Sequence, residues 1–308
     1  MSPVAPAIWI DSSDVLELLP LAPFALLYAR RARTLAGGGH PVPGWRQACS
    51  YAGCAVIGVA LLGLGGASQE LLYMHMIEHL LLGDIGALLI VLGLTGPLLA
   101  PVLRIRVFDR LRALAHPAVA LPLWMVDLYI WHLPVLYQAA LRHPGVHLLQ
   151  HAMFLAAGIN MWMCLFGPLP TPSWFGNLAK LVYIVAVRLA GTVLGNVFLW
   201  SGTVFYPFYV AGDAHHHVSP LADQNLAGAV MMIEGSILTL GLFCWLFLRT
   251  AREAEERESL LDLARARGVE LTDARAARAV SAGRGAELRR RLEQPTRPPE
   301  RLEEQASS

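Results

Sequence analysis

The residues best equipped for chemistry in this 308-residue chain are its histidines, of which there are eleven. His75 and His79 lie four apart, and so do His147 and His151. On a helix that spacing turns both imidazoles of a pair to one face, close enough to share a metal ion. His132 adds a third element, in the run Trp-His-Leu-Pro. Two such pairs and His132 could enclose one ion or two. Imidazole nitrogen suits copper, zinc, iron and nickel alike. Met74, Met76 and Met153 lie near the pairs, and thioether favours Cu(I), although methionine is also ordinary membrane packing. His215, His216 and His217 are consecutive and read equally as a solvated loop or as a metal-gathering site. His143 reads as a plain loop residue.

The elements that must position these side chains follow from composition. The chain is 55% hydrophobic and 15% charged, far too apolar for a soluble domain of this length. Its charge is concentrated at the end, where about two-fifths of residues 249–308 are Arg, Glu or Asp. A helix needs about 20 mostly apolar residues to cross a bilayer. Seven segments qualify, at roughly 13–30, 47–67, 71–100, 117–137, 146–166, 178–200 and 223–248. The first is the weakest, because it carries Glu17, Pro20 and Pro23. Nothing shows the ten-residue alternation of a barrel, so the fold class is all-α, a polytopic seven-transmembrane-helix bundle. The N-terminus lacks the basic region of a signal peptide. Net charge is +1, which gives no case for nucleic-acid binding.

Orientation follows from Lys and Arg in the short loops. Arg30, Arg31, Arg33 and Arg46 follow the first span, and Arg104, Arg106, Arg110 and Arg112 the third. Lys180 follows the fifth, Arg249 and Arg252 the seventh, while the opposite loops hold Arg142 alone. This places the N-terminus outside and the C-terminus in the cytoplasm, with nine of the eleven histidines at the outer surface. Only His40 and His116 fall inside. Two regions result: residues 1–248 form the membrane domain, and residues 249–308 form a charged cytoplasmic tail. The tail reads as partly helical and then disordered, from about Pro295. Cys49, Cys54, Cys164 and Cys244 sit in apolar surroundings and read as buried thiols that act as small hydrophobes.

Asp84, Asp127, Arg188 and Glu234 fall near the middle of their spans, where an unpaired charge is expensive. Arg188 is therefore expected to pair with at least one of the three acids. An ion pair that fixes helix packing and a proton or metal pathway are equally good readings.

At these residues the chain resembles the polytopic CtaG family of cytochrome c oxidase assembly factors. The blocks are His-Met-Ile-Glu-His-Leu-Leu-Leu from His75, Trp-His-Leu-Pro-Val-Leu-Tyr-Gln-Ala-Ala-Leu from Trp131, and His147-Leu-Leu-Gln-His151. Tyr206-Pro, Asp223-Gln224 and Ala227-Gly228 complete them, so the likeness covers roughly residues 70–248. Asp84 and Glu234 depart from the pattern. The resemblance implies a role in building the haem–copper oxidase by supplying or handling copper. It further implies His75, His79, His132, His147, His151 and Asp223 as metal-site residues. Oxidase subunits, and a copper chaperone as donor, are the implied partners in the plasma (inner) membrane, alongside membrane lipid.

Competing readings stay open. His75-Met-Ile-Glu78-His79 matches the HxxEH inverted zinc-protease signature, with Glu78 to activate water on zinc. A di-metal membrane oxidoreductase could use the paired histidines, although such boxes are expected on the cytoplasmic side. A transporter could line its path with the four mid-span charges, but no internal repeat is evident.

Overall fold

The computed structural model of the protein describes residues 16–105, 113–114 and 116–294. Arg106, Arg110 and Arg112, the start of the first expected span and the Pro-rich end of the tail lie outside them. Among the described residues the structure is helical throughout, with no strand. It divides into two units, one up to Leu240 and one from Gly241.

The first unit opens with α1 (Leu21–Gly37), which carries Arg30, Arg31 and Arg33 within the helix and not in a loop after it. Arg and Ala are good helix formers, so the helix runs on to the glycine triplet, where Gly39 adopts a positive φ of 78°. α2 spans Gly44–Gly63, and the short turn α3 (Gly65–Ser68) follows. The next span is a composite. α4 (Leu72–Leu80) passes into a π-helical stretch, Leu81–Gly86, and then into α5 (Ala87–Gly93). It ends at Gly93, short of the expected residue 100. Leu94 is extended, and α6 (Gly96–Leu103) restarts on Pro97.

α7 covers Pro117–Trp131 and α8 covers Pro134–Arg142, with a 71° bend between them. The expected span to residue 137 therefore stops at Trp131. Pro134 pushes the residue before it out of the helical region, and Leu133 sits at φ −64°, ψ 130°. α9 (Pro144–Phe166) and α10 (Asn177–Trp200) lie close to their expected bounds. A single 3₁₀ turn at Pro207–Tyr209 leads into α11 (Val210–His215). α12 runs from Pro220 to Ala266, well past residue 248.

Four of these helices are long and apolar enough to cross a membrane: the composite Leu72–Gly93, α9, α10 and α12. The bent α7–α8 pair makes five if counted as one span. The outward faces are apolar. On α12, Leu226, Ile233, Ile237 and Leu240 are all exposed, and their spacing places them on one stripe. Such a stripe is a liability in water and favourable against lipid tails. Close helix crossings depend on missing side chains. A Cβ on Gly158 of α9 would lie 1.8 Å from the Gly83 carbonyl oxygen, and one on Gly228 of α12 would lie 2.5 Å from that of Gly195.

Not every expected burial holds. Cys164 is buried, Cys49 and Cys54 are partly so, and Cys244 is exposed. In the second unit, Leu260, Ala264, Val280 and Leu292 form an apolar core, to which α13 (Asp273–Ser281) and α14 (Gly285–Glu293) contribute. This part of the tail thus has packing of its own.

Candidate metal centre

α4 brings His75 and His79 onto one face, with ring centroids 4.3 Å apart. α9 does the same for His147 and His151, at 4.1 Å. α9 packs on the π-helical stretch, on α5 and on α7, so the two faces meet. His75 lies 5.4 Å from His147, and His79 lies 5.2 Å from His151. His132, at the break after α7, is 6.4 Å from His79. All five rings are buried. Ligand atoms of His75, His79 and His151 fall within 4.8 Å of one another, as do those of Glu17, His147 and His151. His151 belongs to both groups.

Four of the five rings are approached at Nδ1. His75 Nδ1 donates to the Ser68 carbonyl at 3.3 Å, and His132 Nδ1 to the Leu128 carbonyl at 2.6 Å. His151 Nδ1 donates to Glu17 Oε2 at 2.6 Å, and His147 Nδ1 lies 3.6 Å from Glu17 Oε1. A protonated Nδ1 leaves Nε2 as the nitrogen that carries the lone pair. Nε2 of His75, Nε2 of His132 and both ring nitrogens of His79 have no hydrogen-bond partner among the described residues. The side-chain amide of Gln150, also buried, has none either. Each such buried polar atom costs roughly 1–3 kcal/mol if left unsatisfied. A concentration of imidazole nitrogens of this kind fits a borderline or soft metal ion as the missing partner.

Asp223 takes a different position. Its Oδ2 accepts the Leu72 backbone N–H at 2.6 Å, and its Oδ1 accepts that of Tyr73 at 2.9 Å. Leu71, at the N-cap, makes no side-chain cap, so Asp223 caps α4 from across the bundle. Asp213, 1% exposed, lies beside it. Burial first, and then the hydrogen bond and charge of Asp223, push the Asp213 carboxyl up to about 7. The remaining motif residues also build the scaffold. Tyr206 donates to the His132 carbonyl freed by the bend, at 2.7 Å, and stacks on Tyr137 with centroids 4.1 Å apart. Gln224 accepts from Phe205 N and donates to Thr203 O.

The expected pairing of Arg188 with an acid does not form. Its guanidinium donates to Ser236 Oγ at 2.8 Å and to the Met232 carbonyl at 3.1 Å. Those two residues are four apart on one face of α12, and the Glu234 carboxylate lies close enough for the Arg188 charge to act on it. The carboxylates of Asp84, Asp127 and Glu234 all lie beyond 4.0 Å from Arg188.

Two acids that spacing did not single out now belong to the histidine clusters. Glu17 backs His147 and His151. Its signal was an ionisable residue inside an apolar span, where such residues are functional candidates by default. Glu70 accepts from His215 Nδ1 at 3.2 Å and from His216 Nε2 at 2.5 Å. The His216 and His215 hydrogen bonds hold its carboxyl below the usual range. His143 and His217 are exposed.

No curated protein and no solved structure matches the chain. A family model, cytochrome c oxidase caa3 assembly factor (Caa3_CtaG), matches residues 26–253. That stretch is well over half of the sequence and contains all five clustered histidines and Asp223. This chain belongs to the family of cytochrome c oxidase caa3 assembly factors.

Proposed function

We propose that the protein handles copper for oxidase assembly, taking the ion at the outer face of the plasma membrane and passing it to an oxidase subunit docked in the same bilayer. The observation that carries this reading is the convergence of five buried imidazoles from three helical elements, several held by Nδ1. Copper is the cargo. The chemistry is ligand exchange, so no substrate bond is made or broken and the protein is not an enzyme on this reading. His75, His79, His132, His147 and His151 would supply the donors. A copper chaperone would be the donor partner.

The membrane arrangement we favour has seven spans, with α1 and α2 as the two weaker ones, the N-terminus outside and the C-terminus cytoplasmic. Loop arginines support it. So does the meeting of the start of the composite span, the end of α7, the start of α9 and the start of α12 at one end of the bundle.

The direct test is a deletion strain. The oxidase should lack copper and fail to assemble, and copper supplementation should restore it in part. A fully assembled oxidase with normal copper content would overturn the reading. Glu78, 2% exposed beside His79, supports a zinc hydrolase as the second reading. Glu78→Gln should leave copper handling nearly intact, whereas it would abolish hydrolysis.

A further inference from the structure

The outer surface carries a second group of metal-ligating side chains, separate from the buried cluster. Glu70 lies on the short link between α3 and α4, and His215 and His216 lie at the end of α11. Their ligand atoms fall within 4.8 Å of one another, and both imidazoles address the same oxygen, Glu70 Oε2.

The backbone holds this arrangement in place. A Cβ on Gly212 would lie 2.1 Å from the Glu70 carbonyl oxygen, so α11 sits directly against the Glu70 backbone and only glycine permits it. α11 closes with the paired bonds of a Schellman motif, Val218 N to Asp213 O at 2.9 Å and His217 N to Ala214 O at 3.3 Å. His217 occupies the left-handed position of that motif, at φ 57°. The turn therefore fixes His215 and His216 on the Glu70 side and carries His217 past them. Unlike the buried rings, these side chains are open to solvent: His215 is 72% exposed, His216 39% and Glu70 43%.

We propose that Glu70, His215 and His216 form a surface site for a divalent transition-metal ion of the Cu(II) or Zn(II) class. Two imidazoles and a carboxylate match the ligand preference of these ions, and three protein ligands leave positions for water or an exchanging ligand. Solvent exposure makes the site labile. It is also linked to the buried cluster through the chain, since Glu70 is two residues from Ser68, whose carbonyl holds His75. Its use as a capture site feeding that cluster rests on the copper-handling reading, but metal binding at the surface does not.

The test uses the purified full-length protein with ZnCl₂ or CuCl₂ as the probe. Histidine acylation by diethyl pyrocarbonate is followed peptide by peptide, so that the surface and buried histidines are read separately. Micromolar Zn(II) should slow acylation of His215 and His216 by at least about tenfold. Glu70→Gln should weaken that protection by about tenfold or more, with His143 acylation unaffected throughout. In parallel, Cu(II) added to the wild type should give one electron paramagnetic resonance component more than it gives in His215→Asn/His216→Asn. Equal acylation rates with and without metal would overturn the site, whatever the buried cluster binds. Protection that Glu70→Gln leaves unchanged would remove the carboxylate from the site.

Discussion

Glu17 Oε2 lies 2.6 Å from Nδ1 of His151, joining residues 134 apart in sequence inside the bundle. A carboxylate in this position fixes the tautomer and the ring orientation of a metal-binding histidine and raises its basicity. His151 is common to both buried donor groups, so the contact bears on each. Glu17→Gln should weaken copper affinity roughly 10–100-fold while the protein still accumulates in the membrane. Competition against a copper chelator measures this, and an unchanged affinity would remove Glu17 from the site.

The cap that Asp223 makes on Leu72 and Tyr73 gives a second expectation. Asp223→Ala should cost about 1–2 kcal/mol through loss of the N-cap, read as a lower unfolding temperature in detergent. Copper stoichiometry should be retained. A drop of one bound ion at unchanged stability would instead make the carboxylate a ligand.

The neighbour of Asp223 predicts a pH dependence. The Asp213 carboxyl titrates near 7 in the folded protein, against 3.8 ordinarily. The folded state therefore holds a proton that the unfolded chain has released between these values. Stability from this group falls as pH rises from about 4 to 7 and is level above that. Asp213→Asn keeps an N–H donor toward Asp223 and has no proton to lose. The stability difference, variant minus wild type, should grow by up to about 1.4 kcal/mol per pH unit across the window. A difference independent of pH would refute the carboxyl pairing.

Much of the histidine site was legible in the sequence because its signals are local. The i, i+4 spacing of His75/His79 and His147/His151 survives intact on α4 and α9. His132 was legible as a candidate, but the bend that Pro134 imposes was not, since the span was expected to run on to residue 137. Long-range partners were not. Glu17 read as a weakness of the first span, and Glu70 drew no reading, because each meets its histidines across 130 residues or more. Arg188 shows the limit of reasoning from cost alone. A part-buried guanidinium does need partners, but a backbone carbonyl and a hydroxyl on α12 supply them. Asp223, implied as a metal-site residue, caps the histidine-bearing helix, a use that spacing could not reveal.

The central claim is that the clustered imidazoles bind copper. Metal analysis of the purified protein after equilibration with copper and zinc tests it most directly, comparing wild type with His75→Ala/His79→Ala and His147→Ala/His151→Ala. The account predicts tightly held copper in the wild type and its loss in both double variants. Zinc without copper in the wild type, or tightly held copper retained by both variants once labile surface ions are removed, would contradict it.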